Sequence, residues 1–155
     1  MTGAGRLVGM ARRDAPRAPM ETLEIGRISV ELGLEGDHRG IRRPGKDPKR
    51  QVTVLAREAW EAACAELGRN VAWTARRSNL LVESLELPRT PGTVIAVGDV
   101  RLEVTMEIDP CERMEEAAPG LQAALAPDWR GGVGCRVISG GDIAVGDSIW
   151  IEGAK

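Results

Sequence analysis

Many short strand-like segments, frequent glycine and proline turns and only one extended helical stretch predict a mostly β protein. The expected architecture is a closed or nearly closed sheet with a few short helices over its openings. Three observations carry this. Val100 to Ile108 alternates strictly, with Val100, Leu102, Val104, Met106 and Ile108 on one side and Arg101, Glu103, Thr105 and Glu107 on the other. The pentapeptide Ile95-Ala96-Val97-Gly98-Asp99 recurs as Ile143-Ala144-Val145-Gly146-Asp147, each copy leading into an apolar strand, so two similar hairpins are expected. Helical periodicity is sustained only over Ala56 to Leu67.

The remaining elements follow in order. Arg6 to Met10 reads as a strand and the proline-broken Arg12 to Pro19 as a loop. Leu23, Ile25, Ile28 and Val30 suggest a strand or hairpin with an irregularity at Gly26. Gln51 to Leu55 is a strand, and in the helix after it Trp60, Ala63, Cys64 and Leu67 share a face that stops at Gly68. Arg76 to Val82 is expected as a strand in which Arg77 and Asn79 project from one face, while Leu80 and Val82 occupy the other. Short helices are expected over Glu112 to Ala117 and Gly120 to Ala126, and a last core strand over Val133 to Ile138.

At 155 residues the chain has the size of a single domain, 1–155. Its hydrophobic share of 43% fits a soluble globular protein, and no apolar run is long enough for a membrane span. The N-terminus has no secretory apolar core, so a cytoplasmic location is expected and the three cysteines, Cys64, Cys111 and Cys135, read as reduced thiols. A net charge of -2 and the absence of Phe and Tyr argue against a nucleic-acid partner. The charge is uneven, however. Arg39, Arg42, Arg43, Lys46, Lys49 and Arg50 put six of the 21 Lys and Arg residues into one stretch opposed only by Asp47, either a solvated loop or a mobile basic loop that closes over a phosphate-bearing small molecule.

Cys64 lies on the apolar helix face and Cys135 alternates with Val133 and Val137, so both read as core residues. Cys111 differs, because a strand delivers it past Pro110 to the start of a helix-prone segment. A thiol acts as nucleophile, sulfur carrier or soft metal ligand in its thiolate form, which a helix N-terminus and cations such as Arg113 and Arg77 favour. Glu107, Asp109, Glu112, Glu115 and Glu116 act in the opposite sense if they face the sulfur. The only histidine, His38, sits in GLEGDHRG beside Asp37 and Arg39, and without CxxC or HExxH spacing it makes no zinc site of familiar type.

GLEGD at Gly33 to Asp37, RxNL at Arg77 to Leu80, the strand ending in Pro110-Cys111 and the terminal IAVGD together resemble the MOSC domain family, named for the C-terminal domain of molybdenum cofactor sulfurase. The order His38-Arg39 exchanges the Arg-His order common there. The resemblance implies a β-barrel-like fold and molybdenum cofactor binding, with Cys111 as metal ligand or sulfur-carrying residue. Arg77, Asn79, Asp37, His38, Arg39 and Arg113 are the residues it implies around the anionic pterin. It further implies either reduction of N-hydroxylated compounds with electrons from a separate redox partner, or persulfide transfer with a cysteine desulfurase as partner. A non-catalytic cofactor-binding module is the third possibility.

Overall fold

The computed structural model describes residues 4–152. Its strands are β1 (Gly5–Arg12), β2 (Glu21–Thr22), β3 (Ile25–Ser29), β4 (Gly33–Leu34), β5 (Val52–Ala56), β6 (Leu80–Glu83), β7 (Val94–Val97), β8 (Val100–Glu107), β9 (Val133–Ser139), β10 (Gly141–Ala144) and β11 (Ser148–Glu152). The helices are α1 (Arg57–Leu67), α2 (Glu112–Ala117) and α3 (Leu121–Leu125).

Seven strands run β11-β7-β8-β9-β5-β6-β1 and close into a barrel where Gly5 of β1 pairs with Ile149 of β11. Closure removes the sheet edges that would otherwise expose unpaired backbone groups. Alternation along β8 sends Val100, Leu102 and Val104 into the barrel, where they meet Leu7, Val54, Ile95, Val137 and Ile149. Cys135 lies in the same interior with no exposed surface, and burial raises its thiol pKa well above the ordinary value.

A second core lies outside the barrel wall. The parallel pair β5 and β6 needs a crossover, and α1 with the 3₁₀ turn Trp73–Arg76 supplies it. Leu55 and Leu81 point outward from these two strands and are covered by Trp60, Ala63 and Cys64 of α1, Met114 of α2 and Leu121 and Leu125 of α3. Strand β5 is therefore buried on both faces, with Val52 and Val54 in the barrel and Leu55 in the outer core.

The small sheet β10-β3-β4 sits beside the barrel and is tied to it by one buried amide. Gln51 donates from Nε2 to the carbonyls of Val30, at 2.7 Å, and Gly40, at 3.3 Å, and accepts at Oε1 from the Val137 N–H at 3.0 Å. Gly33 adopts φ +65° there, and a Cβ on it would stand 2.7 Å from the Gly40 Cα, so the first glycine of GLEGD is required sterically.

Two expectations are corrected. The recurring IAVGD segments do not make two hairpins: β7 and β8 pair directly, but β10 pairs with β3, and β11 pairs with β7 and β1. The Gly146 turn carries the chain from the side sheet into the barrel, so similar local turns serve different long-range partners. Arg76 to Val82 is not one strand either, because the chain turns at Arg77, which has φ +64°, and pairing starts only at Leu80. Arg77 and Asn79 consequently share no strand face.

Burial separates the thiols sharply, with Cys64 and Cys135 enclosed and Cys111 exposed. Iodoacetamide applied to native protein is expected to label Cys111 at least about a hundredfold faster than the other two. Peptide mapping by mass spectrometry checks this, and comparable labelling at Cys135 would contradict the barrel packing.

Candidate functional site

Both sides of Cys111 are anchored while the thiol itself stays accessible. On the upstream side β8 ends at Glu107, and the buried Ile108 donates its N–H to the Gly132 carbonyl at 2.9 Å. Pro110 then bars a continued ladder. Downstream, Cys111 occupies the N-cap of α2 with extended backbone, its carbonyl accepts from the Met114 N–H at 2.9 Å, and the Met114 side chain is buried in the helical core.

The thiol opens on a cleft of about 300 Å³. Seven arginines line it, Arg13, Arg17, Arg39, Arg50, Arg76, Arg77 and Arg113, together with His38 and Thr53, against one acidic residue, Asp109. They come from the loop after β1, the two ends of the basic segment, the turn after α1, and α2. Among the described residues just two buried side-chain polar atoms lack a hydrogen-bond partner, His38 Nε2 and Arg77 Nη1. Both belong to residues of this cleft. Buried polar atoms without partners are costly, and their concentration at one cleft points to partners supplied from outside the chain. Arg17 and Arg77 hold positive φ, at 66° and 64°, as do Ser84, Asp128 and Trp129 away from the cleft, so the conformation by itself does not mark the site.

The electrostatics follow from this crowding. Burial lowers the Arg76 pKa to about 10, the positive charge of Arg50 adds to the lowering, and a thiolate at Cys111 and the Asp109 carboxylate oppose it. For Arg50 the order is the same: desolvation of its head group lowers the pKa, Arg39 adds to it and Cys111 opposes. Arg50 as a whole is solvent-exposed, so the enclosure is partial and the group stays cationic. Asp37 is 5% exposed, and burial raises its carboxyl pKa against the opposing effect of bonds with Asn79 and the Arg39 backbone.

Of the residues singled out in the sequence, Cys111, Arg77, His38, Arg39 and Arg113 meet in the cleft. Asp37 and Asn79 do not line it. Asp37 accepts the Arg13 N–H at 3.0 Å, holding the segment that carries Arg13. Asn79 is 4% exposed, accepts the Thr53 N–H at 3.0 Å and donates to the Ala11 carbonyl at 3.2 Å, so its amide joins β1 and β5 behind the cleft. The basic segment reaches the cleft only with its ends, Arg39 and Arg50. Its middle is fastened to the sheet by the Asp47 to Arg136 ion pair and the Thr105 hydroxyl on the Lys49 carbonyl, which leaves Arg42, Arg43, Lys46 and Lys49 exposed to solvent. Glu112, Glu115 and Glu116 are exposed and outside the cleft, and Glu115 accepts the Gly120 N–H at 2.8 Å to start α3. Arg13, Arg17 and Arg76 are the contributors that sequence pattern missed. Long-range topology brings them in, and no local spacing announces it.

The comparisons with known proteins agree with this fold. The structure of YuaD from Bacillus subtilis superposes with a TM-score of 0.74 at 18% identity, covering 94% of each chain. YiiM from Escherichia coli gives a TM-score of 0.69 at 16% identity over 97% of this chain and 71% of that one. YiiM from Geobacillus stearothermophilus gives 0.65 at 15% identity over 95% and 72%. A search of curated proteins finds no match. A family model, the MOSC domain, matches residues 38–150, from the cleft histidine through the Cys111 loop into the last barrel strand, and on that match the chain belongs to the MOSC domain family.

Proposed function

We propose that the protein binds molybdenum cofactor in the arginine-lined cleft, with Cys111 as the thiolate ligand of the metal. The observation that carries the reading is the coincidence of one accessible thiol, seven arginines and two unpartnered buried polar atoms at a single cleft. The donor set fits an anionic pterin. Guanidinium forks bind phosphate oxygens in bidentate fashion, Arg77 Nη1 has a free N–H to give, and His38 Nε2 lacks a partner. A soft thiolate suits molybdenum better than the hard-oxygen cations. No group of three or more His, Cys, Asp or Glu able to hold a metal ion occurs among the described residues, which accords with a metal that arrives attached to an organic ligand.

In this reading His38, Arg39, Arg77 and Arg113 would hold the anionic pterin, and Cys111 would hold the metal. When bound, the cofactor would supply two-electron oxygen-atom chemistry. The protein would be the cofactor-carrying component in reduction of N-hydroxylated compounds, a reaction that takes two electrons from a separate reduced partner and two protons from solvent to convert N–OH into N–H and water. The residues of the chain would orient the cofactor and neutralise its charge, with Asp37 bonded to the Arg13 N–H and Asn79 joining β1 to β5 behind the cleft.

The exposure of Cys111 also favours a second reading, a sulfur carrier in which this thiol holds a persulfide for transfer. Incubation with a cysteine desulfurase and cysteine would then add one sulfur at Cys111 alone, as read by mass spectrometry of intact protein and peptides.

Protein expressed with the cofactor pathway active is expected to contain near-stoichiometric molybdenum, and Cys111→Ser to lose most of it. Metal-free wild type under those conditions would reject cofactor binding. Arg77→Met should weaken the cofactor complex by about tenfold or more, since it removes a partly buried charge-assisted donor. Triple charge reversal at Arg42, Arg43 and Lys46, which lie outside the cleft, should change affinity by less than about threefold at physiological salt. Fluorescence titration with the released cofactor separates the two variants, and equal losses in both would place the anion on the loop instead of in the cleft.

A further inference from the structure

The cations of this chain fall into two populations. Seven arginines, among them Arg12, Arg57 and Arg136, each pair with a carboxylate at 3.8 Å or less. Among the described Lys and Arg residues that have no such partner, all but Arg6 and Arg69 belong to the cleft or to the middle of the basic segment, Arg42, Arg43, Lys46 and Lys49. The one acid of that segment, Asp47, is taken by Arg136. Uncompensated positive charge therefore gathers in and beside the cleft, on a chain whose net charge is -2.

The cleft uses only the ends of the segment, Arg39 and Arg50, and its middle stands outside in solvent. That middle is held in place. The Lys46 N–H donates to the Arg43 carbonyl at 3.2 Å, the Lys49 N–H to the Asp47 carbonyl at 2.9 Å, and the Thr105 hydroxyl to the Lys49 carbonyl. Two aliphatic side chains are open to water beside it, Ile41 at 46% and Leu32 at 40% exposure. Their backbones adjoin, since the Arg42 N–H donates to the Glu31 carbonyl at 2.7 Å and a Cβ on Gly40 would stand 2.4 Å from the Leu32 carbonyl oxygen. An exposed aliphatic pair bordered by unpaired cations has the makeup of a small protein interface, apolar at its centre and polar at its rim.

We propose that the middle of the basic segment, with Ile41 and Leu32, is the docking surface for a small acidic electron-carrier protein that seats beside the mouth of the cleft. The inference rests on the N-hydroxyl reduction proposed above, which takes its electrons from a separate partner. The segment leaves the cleft at Arg39 and returns to it at Arg50, so a protein on its middle lies against the rim of the site. An acidic carrier brings the carboxylates that Arg42, Arg43, Lys46 and Lys49 lack. Each encounter oxidises one carrier and delivers one electron, and two encounters supply the pair that converts N–OH to N–H and water, with both protons from solvent. Repeated exchange calls for fast arrival and fast departure, which charge steering onto a small interface provides. Other polyanions suit the surface less well. None of the four tryptophans lies in the segment, so it offers neither a stacking platform for nucleic-acid bases nor an aromatic anchor for a lipid surface.

Two acidic carriers, a plant-type ferredoxin and a flavodoxin, serve as probes in isothermal titration calorimetry against the full chain. At least one is expected to bind with a dissociation constant of about 1–10 μM at low salt, and about tenfold more weakly at about 0.5 M salt. The triple variant Arg42→Glu, Arg43→Glu, Lys46→Glu should weaken low-salt binding by about tenfold or more, and the control Arg6→Glu, Arg69→Glu, which reverses unpaired cations elsewhere, by less than about twofold. On molybdenum-loaded protein the triple variant should slow reduction of the metal by the carrier about tenfold at low salt, with molybdenum content at the wild-type level. Failure of both carriers to bind, equal losses in the triple variant and the control, or an unchanged rate of metal reduction overturns the proposal. Stronger binding to vesicles containing phosphatidylserine than to either carrier also overturns it and makes the surface one for anionic lipid. The calorimetry needs no metal. If wild type holds no molybdenum, cofactor binding is rejected and the calorimetry alone decides the docking surface.

Discussion

Guanidinium groups gathered around one small cleft repel one another, and much of the architecture near Cys111 can be understood as a means of holding them there. Like charges at close range in a partly enclosed space favour separation or loss of protons. The Arg76 and Arg50 pKa values are lowered by burial first and by a neighbouring arginine second. Acidic residues could relieve this, yet Asp109 is the one carboxylate on the lining. Hydrogen bonds to the backbone resist the repulsion instead: Asp37 fixes the Arg13 backbone, Asn79 joins β1 to β5, and Arg76 is bonded to backbone carbonyls. A bound polyanion would relieve the residual strain, and the unpartnered atoms of His38 and Arg77 belong to the same account.

The barrel explains how such distant residues come together. Residues 13 and 113 are far apart in sequence, but β1, β5 and β6 are consecutive in the sheet and the crossover after α1 delivers Arg76 and Arg77 to the same end. That crossover is forced by the parallel pairing of β5 and β6. The helical core then does a second task. By burying Met114 it fixes α2, and by fixing α2 it holds Cys111 and Arg113 at the cleft.

Local periodicity made some of this legible and hid the rest. The alternation of β8, the β7 to β8 hairpin at Gly98-Asp99, the buried places of Cys64 and Cys135 and the distinct position of Cys111 all depend on near neighbours, and sequence reveals such features. The two IAVGD segments look alike because the turns are alike, whereas strand partners are set by the whole sheet. Asn79 sits two residues from Arg77, but a left-handed residue at 77 breaks the strand period, and the amide is spent on Thr53 and Ala11. The basic segment reads as one charged block, and only contacts from Asp47 and Lys49 to the sheet reveal that its ends and its middle have different surroundings.

If Cys111 and the arginine cleft form one site for a metal-bearing anion, the sulfur of Cys111 lies at the metal. X-ray absorption at the molybdenum edge on loaded wild type and on whatever metal the Cys111→Ser variant retains tests it most directly. One more sulfur neighbour at the metal is expected in wild type than in the variant. Identical sulfur shells at equal loading would contradict it.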